Sequence, residues 1–255
     1  MSRSGQPTCQ PRRPVAVFAL DFDRGASTGR HAHPFGQLVH AASGVMRVTS
    51  AAGTWIVPPQ RAVWVPESIE HDVTMVTAVR MATVYVVGSA LPRAPTTSCV
   101  VEVSPLLREL ILEALQLPRP YPLGGAEERL IAVLLDAMQF RDVLPLHLPM
   151  PSEPHTLAIA TGLQRDPADS RTLAAWAKAT GWSSRTLARA FRDETGLTFG
   201  AWRAQLRLLR ALELLAQRKS VTDVALSLGY DSTSAFVNRF RRHLGKTPAR
   251  YFAGE

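Results

Sequence analysis

The C-terminal third of the chain repeats one pattern, and that repeat narrows the fold more than any other feature. The first copy reads Leu173-Ala-Ala-Trp-Ala-Lys-Ala-Thr-Gly181-Trp-Ser-Ser-Arg-Thr-Leu187-Ala-Arg-Ala-Phe191-Arg-Asp-Glu-Thr-Gly196. The second reads Val221-Thr-Asp-Val-Ala-Leu-Ser-Leu-Gly229-Tyr-Asp-Ser-Thr-Ser-Ala-Phe236-Val-Asn-Arg-Phe240-Arg-Arg-His-Leu-Gly245. Ala177 and Gly181 recur 48 positions on as Ala225 and Gly229. After one inserted residue, Leu187, Phe191, Gly196 and Thr198 recur 49 positions on as Phe236, Phe240, Gly245 and Thr247. Each copy is a short apolar helix, a turn with Gly, and a longer helix opening at Ser, which is the pattern of a helix-turn-helix.

Local chemistry supports that reading. Gly181 and Gly229 suit the left-handed residue that ends a helix. Ser183 and Ser232 can cap the helix that follows. Leu187 and Phe191, like Phe236, Phe240 and Leu244, are spaced by four and give each second helix one buried face. The opposite faces carry Ser184, Arg185, Arg189 and Arg192 in the first copy. In the second they carry Thr233, Ser234, Val237, Asn238 and Arg241. A basic stripe on one helix is ordinarily just a solvated face. Two copies with this turn chemistry and few acids on the exposed faces point to double-stranded DNA instead. Charge agrees. Residues 1–151 hold 13 Lys and Arg against 12 Asp and Glu, a balance of +1, whereas residues 152–255 hold 16 against 9, a balance of +7.

The residues from Gly181 to Phe199, then Trp202-Arg, Arg207 to Leu215, Val224 to Phe236 and Phe240 to Tyr251 resemble the DNA-binding domain of the AraC/XylS family of bacterial transcription regulators. The likeness covers about the last 100 residues. It implies DNA contacts from Ser184, Arg185, Arg189, Arg192, Thr233, Ser234, Asn238 and Arg241, a homodimer, and RNA polymerase as a candidate partner. The family's usual basic residue two places after Phe236 is here Asn238, with Arg239 beside it. Asn pairs bidentately with adenine and Arg with guanine, so a base preference does not carry over from relatives.

The N-terminal half is different in kind. Val15–Phe22, Gln37–Ala42, Val45–Thr49, Thr54–Val57, Ala62–Val65, Asp72–Val76 and Ala82–Val87 read as short strands separated by turn signals, which suggests a sandwich or barrel. Gly25, His31, His33, Gln37 and Gly44, then Pro66, Ser68 and His71, stand at the spacing of the two cupin motifs. Gln37 replaces an acidic residue and Ser68 a Gly. The resemblance to a cupin barrel covers about 75 residues, and AraC-family regulators often carry such a sensor. It puts His31, His33, Gln37 and His71 in the barrel interior, on the premise that the stretch from His31 to Gln37 stays extended. Three chemistries fit: a divalent metal such as Zn, Ni, Cu or Fe, a metal-free pocket for an organic effector, or a structural cluster. Trp55 and Trp64 are either pocket lining or core.

The expected fold class is multidomain α+β. Residues 1–13 form a loose tail and 14–95 the cupin-like sensor. Residues 96–145 form a helical segment, with amphipathic helices over 104–117 and 126–143. Residues 146–154 form a Pro-rich linker, and 155–255 the all-α domain with two helix-turn-helix motifs. The two helices either pack on the barrel or form a dimer contact. Within 155–255, Asp169 or Ser170 is the expected cap of the helix before Gly181, and Trp202, Leu206, Leu209 and Leu212 the buried side of a connecting helix near 198–217. The chain has two cysteines, Cys9 and Cys99, too few and too far apart for a disulfide scaffold or a zinc finger. The N-terminus has no signal-peptide pattern and no apolar run of membrane-spanning length, so a cytoplasmic, non-membrane protein is expected. The function expected is effector-responsive transcription regulation, with no enzymatic activity. The alternative is a metal-dependent cupin enzyme, a dioxygenase or isomerase, with a basic helical appendage.

Overall fold

The computed structural model describes residues 13–140 and 146–252. The expected tail apart from Arg13, the end of the second helix over 141–143, and Pro145 lie outside the described residues. The chain forms two compact units: Met1–Ala51 with Trp55–Val143, and Ala52–Thr54 with Leu144–Glu255.

The first unit is built on antiparallel strands. They are β1 (Val15–Phe22), β2 (Gly36–Ser43), β3 (Met46–Ser50), β4 (Gly53–Val57), β5 (Arg61–Val65), β6 (His71–Met75), β7 (Val79–Val86) and β8 (Cys99–Glu102). One sheet has the order β1-β7-β2-β5-β8, and β6, β3 and β4 neighbour one another in a second. β3 and β6 alternate between buried and open positions, as strands covered on one face should. β2 and β7 are buried at nearly every position. Their second face is covered by two helices, α1 (Pro105–Ala114) and α2 (Ala126–Ala137). Ser104 caps α1 by accepting from the Leu107 N–H at 3.2 Å, and Pro105 occupies its first turn. Leu107, Ile111, Ile131, Leu134 and Met138 pack with Val15, Val17, Leu38, Trp64, Val84 and Val86 of the sheet. The inner helix faces therefore close this chain's own core. Leu106 and Val133 remain outside, 59% and 47% exposed.

Three details differ from the reading of the sequence. The segment 96–145 is not wholly helical, because Cys99–Glu102 adds β8 to the sheet beside β5. The helix expected over 126–143 ends at Ala137, where Met138 turns extended. The expected linker holds strand β9 (His147–Pro149), which lies beside Ala52–Thr54 of the same unit, with His147 Nε2 3.1 Å from the Ala52 carbonyl. Prolines leave an edge strand intact where no ladder N–H is required of them. Trp55 and Trp64 are core residues, 1% and 3% exposed. The Trp64 indole N–H donates to the Pro95 carbonyl at 3.0 Å.

In the second unit, seven helices follow β9. They are α3 (Pro154–Arg165), α4 (Leu173–Thr180), α5 (Ser184–Thr195), α6 (Phe199–Ala216), α7 (Val221–Ser227), α8 (Thr233–Leu244) and α9 (Pro248–Tyr251). Ser183 and Ser232 cap α5 and α8, accepting from Thr186 N and Ala235 N at 3.0 and 3.1 Å. Gly181, Gly196, Gly229 and Gly245 take left-handed φ values of 70–75°. The cap of α4 is Thr172, not Asp169 or Ser170, and accepts from Ala175 N at 3.2 Å. Asp169 is committed elsewhere: its carboxylate accepts from the Arg171 backbone N–H and Nε, both at 2.8 Å. The connecting helix α6 buries Trp202, Leu206, Leu209 and Leu212, as its spacing requires.

Candidate functional site

Helices α5 and α8 share one design. Leu187 and Phe191 anchor α5, Phe236 and Phe240 anchor α8, and all four are at most 1% exposed. Anchoring one face leaves the other outward. Ser184, Arg185, Arg189 and Arg192 are exposed on α5. Ser234, Asn238 and Arg241 are exposed on α8, with Thr233 half-buried. Arg185, Thr186, Arg189 and Arg192 line a groove with Thr198, Phe199 and Gly200 at the start of α6. A groove of arginines at a helix N-terminus is electropositive, which suits phosphate.

Arg207 of α6 reaches towards both motifs. Its Nε donates to the Pro167 carbonyl at 2.7 Å, in the loop leading to the first motif, and its guanidinium lies 5.8 Å from the Tyr230 ring in the second. Sequence reasoning missed this. Arg207 sat inside a recognised motif, but nothing in its spacing identifies its partners.

The histidines converge in the first unit. His31 and His71 are cross-strand partners, with His31 N donating to His71 O at 3.0 Å and His71 N to His31 O at 2.9 Å. The route differs from the unbroken strand expected. Pro34 and Phe35 bend the chain before β2 begins at Gly36, and His33 folds back so that its Nε2 lies 2.9 Å from Gln37 Oε1. His71 Nε2 lies 3.0 Å from the same oxygen, spanning from β6 to β2. The Gln37 amide nitrogen donates to Thr83 Oγ1 at 2.8 Å and Tyr85 Oη at 3.1 Å, both on β7. Thr83 and Tyr85 were missed by sequence reasoning. Their signal is faint: two polar residues two apart in the otherwise apolar Ala82–Val87.

Ser68 has φ of +62° and its N–H donates to the His33 carbonyl at 2.8 Å. That conformation explains why the cupin motif places Gly there. Ring nitrogens are also held by the backbone: Nδ1 of His31, His33 and His71 lies 2.7, 2.6 and 2.9 Å from the carbonyls of Gly29, Phe35 and Ile69. Burial lowers the pKa of His33 and brings that of His71 down to about 4, so both are neutral imidazoles at neutral pH. Burial pushes the Tyr85 phenol up to about 12. One ring nitrogen from each of the three histidines falls within a group spanning 4.8 Å, so the trio can hold a metal ion or hydrogen-bond a polar ligand. His31 is half-buried at the rim, while His33 and His71 lie inside.

Comparison with known proteins places this architecture. The helix-turn-helix domain family matches residues 176–254, and the AraC-like ligand binding domain family matches residues 15–134. The HTH-type transcriptional regulator NimR of Escherichia coli (strain K12) is 39% identical over 223 residues, 88% of this chain and 81% of that protein. The chain belongs to the AraC family of transcription regulators. RipA of Corynebacterium glutamicum, also an HTH-type transcriptional regulator, is 39% identical over 119 residues, 47% of this chain and 36% of its own. The regulatory protein SoxS of Salmonella typhimurium is 41% identical over 76 residues, 29% of this chain and 71% of its own. Among solved structures, ToxT from Vibrio cholerae O395 aligns over 93% of this chain and 96% of its own, at 10% identity and a TM-score of 0.39. This AraC-family chain thus joins a ligand-binding domain to a helix-turn-helix DNA-binding domain. No helix among its described residues is long and apolar enough to cross a membrane.

Proposed function

We propose that this AraC-family regulator reads promoter DNA with the exposed faces of α5 and α8 and senses its effector at His31, His33, Gln37 and His71. The observation that carries the first half is the pairing of buried aromatic anchors with exposed Ser184, Arg185, Arg189 and Arg192 on α5, and with Thr233, Ser234, Asn238 and Arg241 on α8. Two such helices enter successive major grooves of one DNA face when about 34 Å apart. Arg185 and Arg189 take base edges or phosphates in one groove, and Asn238 takes a base in the next. Asn238→Ala should cost roughly 1–3 kcal/mol and relax preference at one base position, most plainly an adenine. Binding-site selection from random DNA checks this, and an unchanged selected site would remove Asn238 from the reading role.

The sensing role is supported by a buried, polar, mutually bonded cluster inside a ligand-binding domain. Replacing His31 and His71 with Ala should abolish the effector response in a reporter assay while DNA binding persists. A double mutant that responds normally would end the sensing role. The protein acts as a cytoplasmic homodimer without enzymatic activity, with RNA polymerase as a partner at the promoter. The exposed Leu106 and Val133 on the outer faces of α1 and α2 support a dimer contact there. Leu106→Glu together with Val133→Glu should yield a monomer by sedimentation, and an unchanged dimer would move the contact elsewhere.

A further inference from the structure

Helix α6 packs against α5 of the first motif and α7 of the second. Arg203 and Arg207 stand four apart on it and so share one face. Both reach the loop between α3 and α4. Arg203 Nη1 donates to the Arg171 carbonyl at 2.8 Å, and Arg207 Nε donates to the Pro167 carbonyl at 2.7 Å. Arg207 Nη2 lies 3.5 and 3.4 Å from the carbonyls of Ala168 and Asp169. The same guanidinium faces Tyr230, 5.8 Å from the ring centroid, in the turn of the second motif. That turn also touches the loop directly. A Cβ on Gly229 would come within 2.9 Å of the Ala168 carbonyl oxygen and 3.2 Å of Arg207 Nη2. The bare Gly229 therefore lets the loop before the first motif, the turn of the second and the helix between them meet at Arg207.

The loop is in turn tied to the first motif. The Asp169 carboxylate accepts from the Arg171 backbone N–H and Nε, and the Arg171 guanidinium lies 3.4 Å from the centroid of the Trp176 ring in α4. A single helix contact leaves a motif free to rock, whereas a second point of attachment removes that freedom. Arg207 supplies this second point. It is half-buried, and it directs its N–H groups at carbonyl oxygens. Its planar fork fixes the angle at which they are held.

We propose that Arg207 is a positioning residue that sets the register between α5 and α8, and with it the spacing of the two DNA segments the protein accepts. The proposal rests on the reading that both helices enter DNA. One base pair inserted between the two segments moves the second by about 3.4 Å and turns it by about 35° around the duplex. A rigid pair of motifs cannot follow that displacement, whereas a loosened pair can. Arg207 thus determines spacing, while Arg185, Arg189 and Asn238 meet the bases and phosphates.

The test uses the full-length chain and the duplex it selects from random DNA, with derivatives one base pair longer and one shorter between the two protected segments. The wild-type chain should bind each derivative about tenfold more weakly, as misplaced base contacts require. Arg207→Gln should bind the selected duplex about fivefold more weakly, yet separate the three duplexes by less than about threefold. Its salt dependence should match that of the wild type, because no phosphate contact is lost. Arg207→Lys keeps the charge without the fork and should share the loss of discrimination. Tyr230→Leu guards against misfolding of the arginine variants, since it removes the ring facing Arg207 but keeps an apolar group beside Phe236. It should discriminate less than the wild type as well. Full discrimination by folded Arg207→Gln, or by Tyr230→Leu where Arg207→Gln does not fold, would overturn the proposal. So would a salt slope lower by about 0.9 in Arg207→Gln, which would mean a direct phosphate contact. A wild-type chain that binds all three duplexes equally would instead remove the two-groove reading of α5 and α8, and with it any register to set.

Discussion

At the scale of single residues, Ser68 shows a local strain kept for a positional reason. A left-handed non-glycine residue costs about 1–2 kcal/mol, partly offset by the greater unfolded-state freedom of Gly. Ser68→Gly is therefore expected to raise stability by about 0.5 kcal/mol, and Ser68→Val to lower it by more than 1 kcal/mol, since a β-branched side chain fits that region worst. Urea midpoints of the two variants measure the difference. Buried histidines set the response to acid. His71 and His40 are each held down to about 4, by burial foremost. Unfolded, both titrate near 6.5. Between those values the unfolded chain binds the extra protons, so their contribution is complete above about pH 6.5 and is lost as pH falls towards 4. The urea midpoint of the first unit should fall steadily over that window. A midpoint that holds constant from pH 7 to 4.5 would contradict the burial of these rings as neutral groups.

At the scale of elements, the placement of α5 depends on one carboxylate. Glu194 Oε1 accepts from the N–H groups of Ser152 and Glu153 at 3.1 and 2.8 Å, and Oε2 accepts from the Thr156 hydroxyl at 2.6 Å. Those N–H groups lie at the start of α3, where a helix has donors to satisfy and a positive dipole end. The hydrogen bonds hold the Glu194 carboxyl below its ordinary pKa against the opposing effect of burial. Charge-assisted bonds of this kind contribute about 1.5–3 kcal/mol each in protected sites and less where water competes. Glu194→Ala should destabilise the second unit by about 1–2 kcal/mol and weaken DNA binding through loosened α5. Glu194→Gln, which can keep some of the bonds, should lose less. Equal losses in the two variants, measured by thermal unfolding, would mean that the geometry of the carboxylate contributes nothing.

At the scale of the whole molecule, the charge of the C-terminal part and its true boundary make a joint prediction. With a balance of +7 over residues 152–255, the logarithm of DNA affinity should fall linearly with the logarithm of salt, by about 0.9 per phosphate neutralised. A fragment carrying this domain should bind DNA alone, more weakly than a dimer engaging two sites. Its starting residue matters. Trp202, fully buried, donates its indole N–H to the Pro149 carbonyl at 2.7 Å, and Gln205 donates to the carbonyl of His147. A fragment from residue 146 keeps both acceptors, whereas one from residue 152 leaves the buried indole N–H without one, at about 1–3 kcal/mol. The longer fragment should melt higher, and identical melting would show that β9 adds nothing to the domain.

What the sequence determined by itself is whatever depends on neighbours along the chain. The caps Ser183 and Ser232, the left-handed Gly181 and Gly229, and the anchors at spacings of four were legible because each effect acts within a few residues. The duplicated motif then placed Ser184, Arg185, Arg189 and Arg192 on the exposed face of α5, and Ser234, Asn238 and Arg241 on that of α8, by elimination. Strands β1 to β7 were equally legible, because β-rich composition and the turn signals between strands are local properties. Tertiary structure alone decided the rest. It turned Cys99–Glu102 and His147–Pro149 into strands, because short segments without strong alternation pair only where a sheet edge awaits them. It set Thr172 over Asp169 as a cap, because Arg171 claims the carboxylate. It also brought Thr83 and Tyr85 to Gln37 across 46 and 48 residues of chain. Spacing within one segment cannot reveal such a contact, because the register between β2 and β7 belongs to the folded sheet and not to either strand.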